Sequence, residues 1–147
     1  MINKILLATD GSEHAMKAAE YAKNLALKFE GAEITVLYVA HVPDDLLMKN
    51  AVLHAFDDDI NLDKVLAQNS QPIITKTREV FADTGIKVNT LIQTGNPAEE
   101  ICLVSKTDKY DLVVIGSRGL GTIKGLFLGS VSDRVAHICN TPVMIVK

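Results

Sequence analysis

Apolar residues fall along this chain in two rhythms, short unbroken runs and longer stretches with three-and-four spacing, and the two alternate. Residues 4–9, Lys-Ile-Leu-Leu-Ala-Thr, form a run closed by Asp10-Gly11-Ser12. That is the pattern of a strand buried on both faces and ended by a turn. Ser12 then serves as the N-cap of a helix whose apolar stripe is Ala15, Ala18, Ala19, Ala22, Leu25, Ala26 and Phe29, with Lys17, Glu20, Lys23 and Lys28 elsewhere. Gly31 suits its C-terminal stop. Residues 34–40, Ile-Thr-Val-Leu-Tyr-Val-Ala, repeat the buried-strand pattern.

Residues 41–61 carry little pattern. Helical spacing returns at Leu62, Val65, Leu66, Ile73, Thr77, Val80 and Phe81, interrupted by Pro72, which is expected to kink or break the helix. Residues 87–94 read as a third strand. Asn96-Pro97 then opens a helix with an N-cap, a proline at its first position, and Glu99 and Glu100 at the positive end of its dipole. Residues 112–115 read as a fourth strand, 130–139 as a last helix and 142–146 as a fifth strand. Strands alternating with helices at this spacing predict an α/β fold. The expected architecture is a single open five-stranded parallel sheet of order 3-2-1-4-5 with helices on both faces. Repeats, low-complexity tracts and linkers are absent, so residues 1–147 read as one domain.

Composition narrows the function. A chain of 147 residues with 48% hydrophobic and 22% charged positions can bury a full core. Fifteen Lys plus Arg against eighteen Asp plus Glu give a net charge of -3, so no overall field draws in nucleic acid or an anionic membrane, and only a local anion site is left open. Cys102 and Cys139 lack CxxC or Cys/His ligand spacing, so neither a disulfide framework nor a zinc site is expected. Both fall on apolar stripes and read as small buried hydrophobes. A reducing cytoplasm fits, because no signal-length apolar region develops before Asp10 and no stretch approaches the roughly 20 apolar residues of a membrane span. Asp57, Asp58 and Asp59 lack calcium-loop spacing and read as a solvated face. No motif places His14, His41, His54 or His137 beside a nucleophile.

The chemistry concentrates in Gly116-Ser117-Arg118-Gly119, nine intervening residues, and then Gly129-Ser130. The segment begins where the fourth strand ends and finishes where the last helix begins. Glycines let backbone N–H groups approach an oxyanion, and a helix N-terminus offers unpaired donors with positive dipole character. Ser130 and Ser132 add hydroxyl donors, and Arg118 and Lys124 can offset phosphate charge. The competing interpretation is structural: Gly116 and Gly119 shape a turn, and Ser130 with Asp133 forms a capping box. In the expected strand order Asp10 faces the Gly116 loop across the crevice where ligands of open α/β sheets settle. There is neither a GxxxxGK[ST] loop nor a GxGxxG turn after the first strand, so the site is of another kind.

These residues resemble the universal stress protein family in its ATP-binding branch. The likeness rests on the glycine pattern of Gly116, Gly119, Gly129 and Ser130, on the opening Ile5 through Ser12, and on the ending Asn140-Thr-Pro-Val-Met-Ile-Val146, and it spans the chain. The resemblance implies a Rossmann-like, nucleotide-binding character for the α/β sheet, with ATP and Mg²⁺ lying across the crevice between strands one and four. Ala8, Thr9 and Asp10 would lie at the adenosine end and Val39 would line the adenine pocket. Gly116, Ser117, Arg118 and Gly119 would lie along ribose and phosphates, and Gly129, Ser130, Val131 and Ser132 at the outer phosphates. Ala8 stands where some ATP-binding members have proline. The apolar edge of residues 142–146 and the resemblance together imply a homodimer by antiparallel pairing of that strand with its copy. The function so implied is that of a cytoplasmic, nucleotide-dependent stress-response regulator. Alternatives are a slow ATP-hydrolysing enzyme, for which the motif supplies no base, and a nucleotide-free dimerisation module.

Overall fold

The computed structural model of the chain describes residues 1–41, 62–120 and 127–147. Five strands, β1 (Lys4–Ala8), β2 (Glu33–Ala40), β3 (Lys87–Thr94), β4 (Leu112–Gly116) and β5 (Val143–Val146), form one parallel sheet in the order β3-β2-β1-β4-β5. Between them run α1 (Glu13–Ala26), α2 (Leu62–Glu79), α3 (Pro97–Thr107) and α4 (Ser130–Ile138). This is the expected topology, with four of the ten strand ends displaced by one residue.

The alternation of side chains along the strands divides the core into two layers. On one face Ile5, Leu7, Ile34, Val36, Leu112 and Val114 pack with the alanines of α1 and with Ile74 of α2. On the other, Leu6, Ala8, Leu37, Val113 and Ile115 pack with Ala98, Ile101 and Val104 of α3 and with Val135 of α4. Helices thus cover both faces of the sheet. Both caps expected from sequence form: the Ser12 hydroxyl oxygen accepts from the Ala15 amide and the Asn96 carbonyl from the Glu99 amide.

Of a kink or a break at Pro72 the structure excludes the break, and it overturns the expectation for the cysteines. The helix α2 runs unbroken from Leu62 to Glu79 through Pro72. Proline forfeits one helical hydrogen bond there, and burial of Ser70, Ile74 and Thr77 against the rest of the molecule offsets the loss. Cys102 and Cys139 are not separate buried hydrophobes but a disulfide that joins α3 to the end of α4, with Cα atoms 5.0 Å apart. The two helices lie side by side on the same face of the sheet, a proximity that a separation of 37 residues does not reveal. Among the described residues no helix is long and apolar enough to cross a membrane.

The start of β1 is tied to the start of β4 by Asp111, whose carboxylate accepts from the amides of Asn3 (2.8 Å) and Lys4 (2.9 Å). Those two backbone donors hold its pKa below the ordinary aspartate range. A depressed folded-state pKa gives stability that is present above the unfolded-state value and is lost as pH falls through the folded one. The denaturation midpoint of Asp111→Asn should therefore lie below that of wild type at pH 7, and the gap should close as the pH drops below the ordinary aspartate value.

Candidate functional site

The carboxyl ends of β1 and β4 diverge where the strand order reverses, and a cleft of about 620 Å³ opens there. Ala8, Leu37, Val39 and Ile115 give it an apolar wall. The register makes this wall inevitable, since Ala8 pairs with Leu37 on one side and with Ile115 on the other. The opposite end is polar, formed by Arg118, Gly119, Gly129 and the first residues of α4.

Ser117 fixes that polar end. Its backbone oxygen accepts from the Gly129 amide at 2.7 Å and from the Ser132 hydroxyl at 2.7 Å, so the start of α4 is pinned to the end of β4. Gly129 is the N-cap, extended at φ -72°, ψ 163°, and no side chain caps this helix. The first intrahelical bond runs from the Asp133 amide to the Gly129 oxygen at 2.9 Å. The amides of Ser130, Val131 and Ser132 precede it and open on the cleft that these residues line.

This geometry revises the roles expected of two serines. Ser130 is the first helical residue and exposed, not an N-cap, so the capping-box interpretation falls away. The hydroxyl of Ser132 is buried and donates to Ser117, so it stabilises the loop and is not offered to a ligand.

Asp10 joins the two halves of the cleft. One carboxylate oxygen accepts from the Ser12 amide (2.9 Å), which orders the β1–α1 turn, and the other from the Leu120 amide (3.1 Å) beyond β4. The expected apposition of Asp10 and the glycine loop is thus a hydrogen bond. Thr9 lines the cleft, but its hydroxyl is shared with Thr77 of α2 at 3.0 Å, and Lys76 donates to the Gly11 oxygen at 3.0 Å. The helix α2 therefore braces the turn that carries Asp10.

Of the twelve residues expected at the site, the cleft brings together Ala8, Thr9, Asp10, Val39, Gly116, Arg118, Gly119, Gly129, Ser130, Val131 and Ser132, and Ser117 stands just behind it. Lys124, His54 and the run Asp57, Asp58 and Asp59 lie outside the described residues. Sequence reasoning missed Leu37, Ile101, Ile115, Leu120, Phe127 and Asp133 in the lining, and Thr77 behind it. The strand register would have supplied Leu37 and Ile115, and the helix phase Asp133. Nothing local marks Thr77.

A model of the universal stress protein family matches residues 1–147. Universal stress protein YxiE of Bacillus subtilis is 34% identical, the match covering the whole of both chains. The solved structure of MJ0577 from Methanocaldococcus jannaschii superimposes with a TM-score of 0.83 at 28% identity, covering 100% of this chain and 96% of that one. A universal stress protein solved in complex with cAMP shares the fold at a TM-score of 0.73 and 22% identity, with 99% of this chain and 97% of that one covered.

The two glycines of the loop differ in what they avoid. A Cβ at Gly116 would meet the α1 backbone, 2.6 Å from the His14 carbonyl carbon and 2.9 Å from the Ala15 nitrogen. One at Gly119 would fall on the Asp10 carboxylate, a side-chain tip that can turn aside. Gly116→Ala should cost at least about 1–3 kcal/mol by overpacking. Gly119→Ala should cost less than Gly116→Ala, its upper limit being the roughly 1.5–3 kcal/mol of the hydrogen bond to the charged Asp10 carboxylate. Urea denaturation of both variants checks the order.

Proposed function

The chain belongs to the universal stress protein family, and from that premise we propose that its cleft binds an adenine nucleotide, ATP with Mg²⁺, and that the bound nucleotide sets the surface through which the protein acts as a stress-response regulator. The observation that carries this reading is the polarity of the cleft. An apolar slot at one end suits a base, and three unpaired amides of α4 at the other suit phosphate. A relative of the same fold was solved with cAMP, which agrees with such a ligand.

In this reading the base lies against Ala8, Val39 and Ile115. The ribose and inner phosphates pass Asp10, Gly116, Arg118 and Gly119, and the outer phosphates meet the amides of Ser130, Val131 and Ser132. Asp10 acts chiefly by holding the two loops together, since both its oxygens already accept amides. Among the described residues no group of three His, Cys, Asp or Glu side chains is placed to hold a metal, so Mg²⁺ would travel on the phosphates, with Asp133 in the same lining. Leu120 and Phe127, 76% and 86% exposed, flank the cleft and belong to the surface that a bound nucleotide would change.

The reading extends to assembly and location. Residues 142–146 end the sheet on the half-buried Val143, Met144 and Ile145, an edge suited to antiparallel pairing with a second copy, and we assign the homodimer to it. Adenine nucleotides are abundant in the cytoplasm, the compartment this function requires.

Isothermal titration of the nucleotide-free protein with ATP and Mg²⁺ should show one site per chain, and absence of binding by ATP, ADP and AMP would overturn the proposal. Ser130→Pro sharpens the test. Proline is tolerated at the first helical position and removes only that amide donor. It should leave the unfolding temperature near wild type and weaken ATP about tenfold or more, the worth of one hydrogen bond to a charged group. Ser130→Ala should bind nearly as wild type.

A further inference from the structure

The disulfide between Cys102 and Cys139 has no part in the function described so far, and it sits where the two helices that wall the cleft meet. The side chains joining α3 to α4 and to the turn after it recur every three residues along one face of α3. Glu99 meets Arg134 at 3.1 Å, Cys102 is bonded to Cys139, and the Ser105 hydroxyl accepts from Thr141 at 3.1 Å. The middle link is the covalent one. Pro97 and Ile101 of α3 and the first four residues of α4 line the cleft, and the bridge joins the residue after Ile101 to the far end of α4.

We propose that Cys102 and Cys139 are a reversible thiol–disulfide couple whose oxidation state sets the fit between α3 and α4, and with it the hold of the cleft on its ligand. Three observations argue against a permanent staple. The apolar layer beneath is built by strand and helix side chains, Ala98, Ile101, Val104 and Val135 among them all buried, with the half-buried bridge packed against it. The flanking contacts, Glu99 with Arg134 and Ser105 with Thr141, are made by side chains other than those of the two cysteines. Both cysteines are half-buried, beside the exposed Leu103 and Ile138, within reach of a small thiol or disulfide. An accessible disulfide in a chain long enough to bury a full core fits the labile class.

Glutathione disulfide is the oxidant that the chemistry requires. The thiolate of one cysteine attacks it, forming a mixed disulfide and releasing one glutathione thiolate. The second cysteine's thiolate then attacks the protein-side sulfur, closes the Cys102–Cys139 bond and releases the second glutathione. Two electrons pass from the protein to the oxidant, and the two cysteine protons end on two glutathione thiols. Reduction runs the same steps in reverse. Two free thiols cannot sit as close as two bonded sulfurs, and a close-packed layer transmits the separation to the helices. The α4 amides that open on the cleft are thereby moved.

The effect on ligand affinity rests on the nucleotide reading, whereas the redox couple and its effect on α4 do not. The test equilibrates the full chain in glutathione buffers of varied ratio, counts free thiols by alkylation and mass spectrometry, and follows hydrogen exchange in nucleotide-free protein. Both thiols should appear together as the buffer is made reducing, with the protein still folded. The hydrogen-bonded amides of Gly129 and Asp133 should then exchange about fivefold faster, the low end of coupling between sites, while those of β2 do not change. A disulfide that resists reduction until the protein unfolds, or exchange at Gly129 and Asp133 unaltered by reduction, would overturn the proposal. ATP affinity should fall by a similar factor on reduction of wild type and be insensitive to the buffer in Cys139→Ser. Should that variant not fold, the wild-type comparison decides alone. Should neither redox form bind ATP, the nucleotide reading fails and the exchange result still decides the couple.

Discussion

One backbone oxygen, that of Ser117, holds the start of α4 against the end of β4 by accepting both the Gly129 amide and the Ser132 hydroxyl. The amide of Ser117 is itself bound to the Val146 oxygen of β5 at 2.7 Å, so the anchor is continuous with the sheet. Everything that gives the cleft its polarity follows from this attachment. It places the uncapped amides of α4 at the mouth of the β1–β4 divergence, and leaves the apolar side chains that the strands turn to the same face as the opposite wall. The start of a helix fixed so close to a strand end needs a residue without bulk there, which is the physical meaning of Gly129. Gly116 makes room for the α1 backbone, and Gly129 lies close to Ser117 and Arg118.

A second constraint acts from the other side of the cleft. Asp10 bridges the β1–α1 turn and the loop beyond β4, and α2 braces that turn through Thr77 and Lys76. The site is therefore carried by all of the layers: two strand ends, one helix terminus and a supporting helix behind. A regulator of the proposed kind needs this arrangement more than it needs catalytic groups. In that proposal the nucleotide would be read largely by backbone atoms, which a chain of net charge -3 can supply without a basic surface.

The fold was legible in the chain because the buried strands are short continuous apolar runs and the helices carry regular stripes, two signals with different periods. Ser12, Asn96 and Pro97 marked helix starts through local chemistry, and the structure uses them so. The glycine-serine motif lies, as expected, at the carboxyl ends of β1 and β4, where the cleft opens. What stayed hidden depends on tertiary proximity. Pro72 is a helix breaker by local rule and is overruled by packing. The partner of the Ser132 hydroxyl is a carbonyl 15 residues earlier, and Cys102 finds Cys139 only because α3 and α4 share a face of the sheet. Thr77 and Thr9 meet across 68 residues without any local signal.

The central claim is that phosphate is held by the amides of Ser130, Val131 and Ser132. The most direct measurement is a nitrogen–proton NMR titration of the nucleotide-free protein with ATP and Mg²⁺. The largest amide shifts should fall on residues 130–132 and on the loop residues Arg118 and Gly119. Saturating ATP that leaves those amides unmoved, or that shifts only residues away from the β1–β4 cleft, would contradict the account.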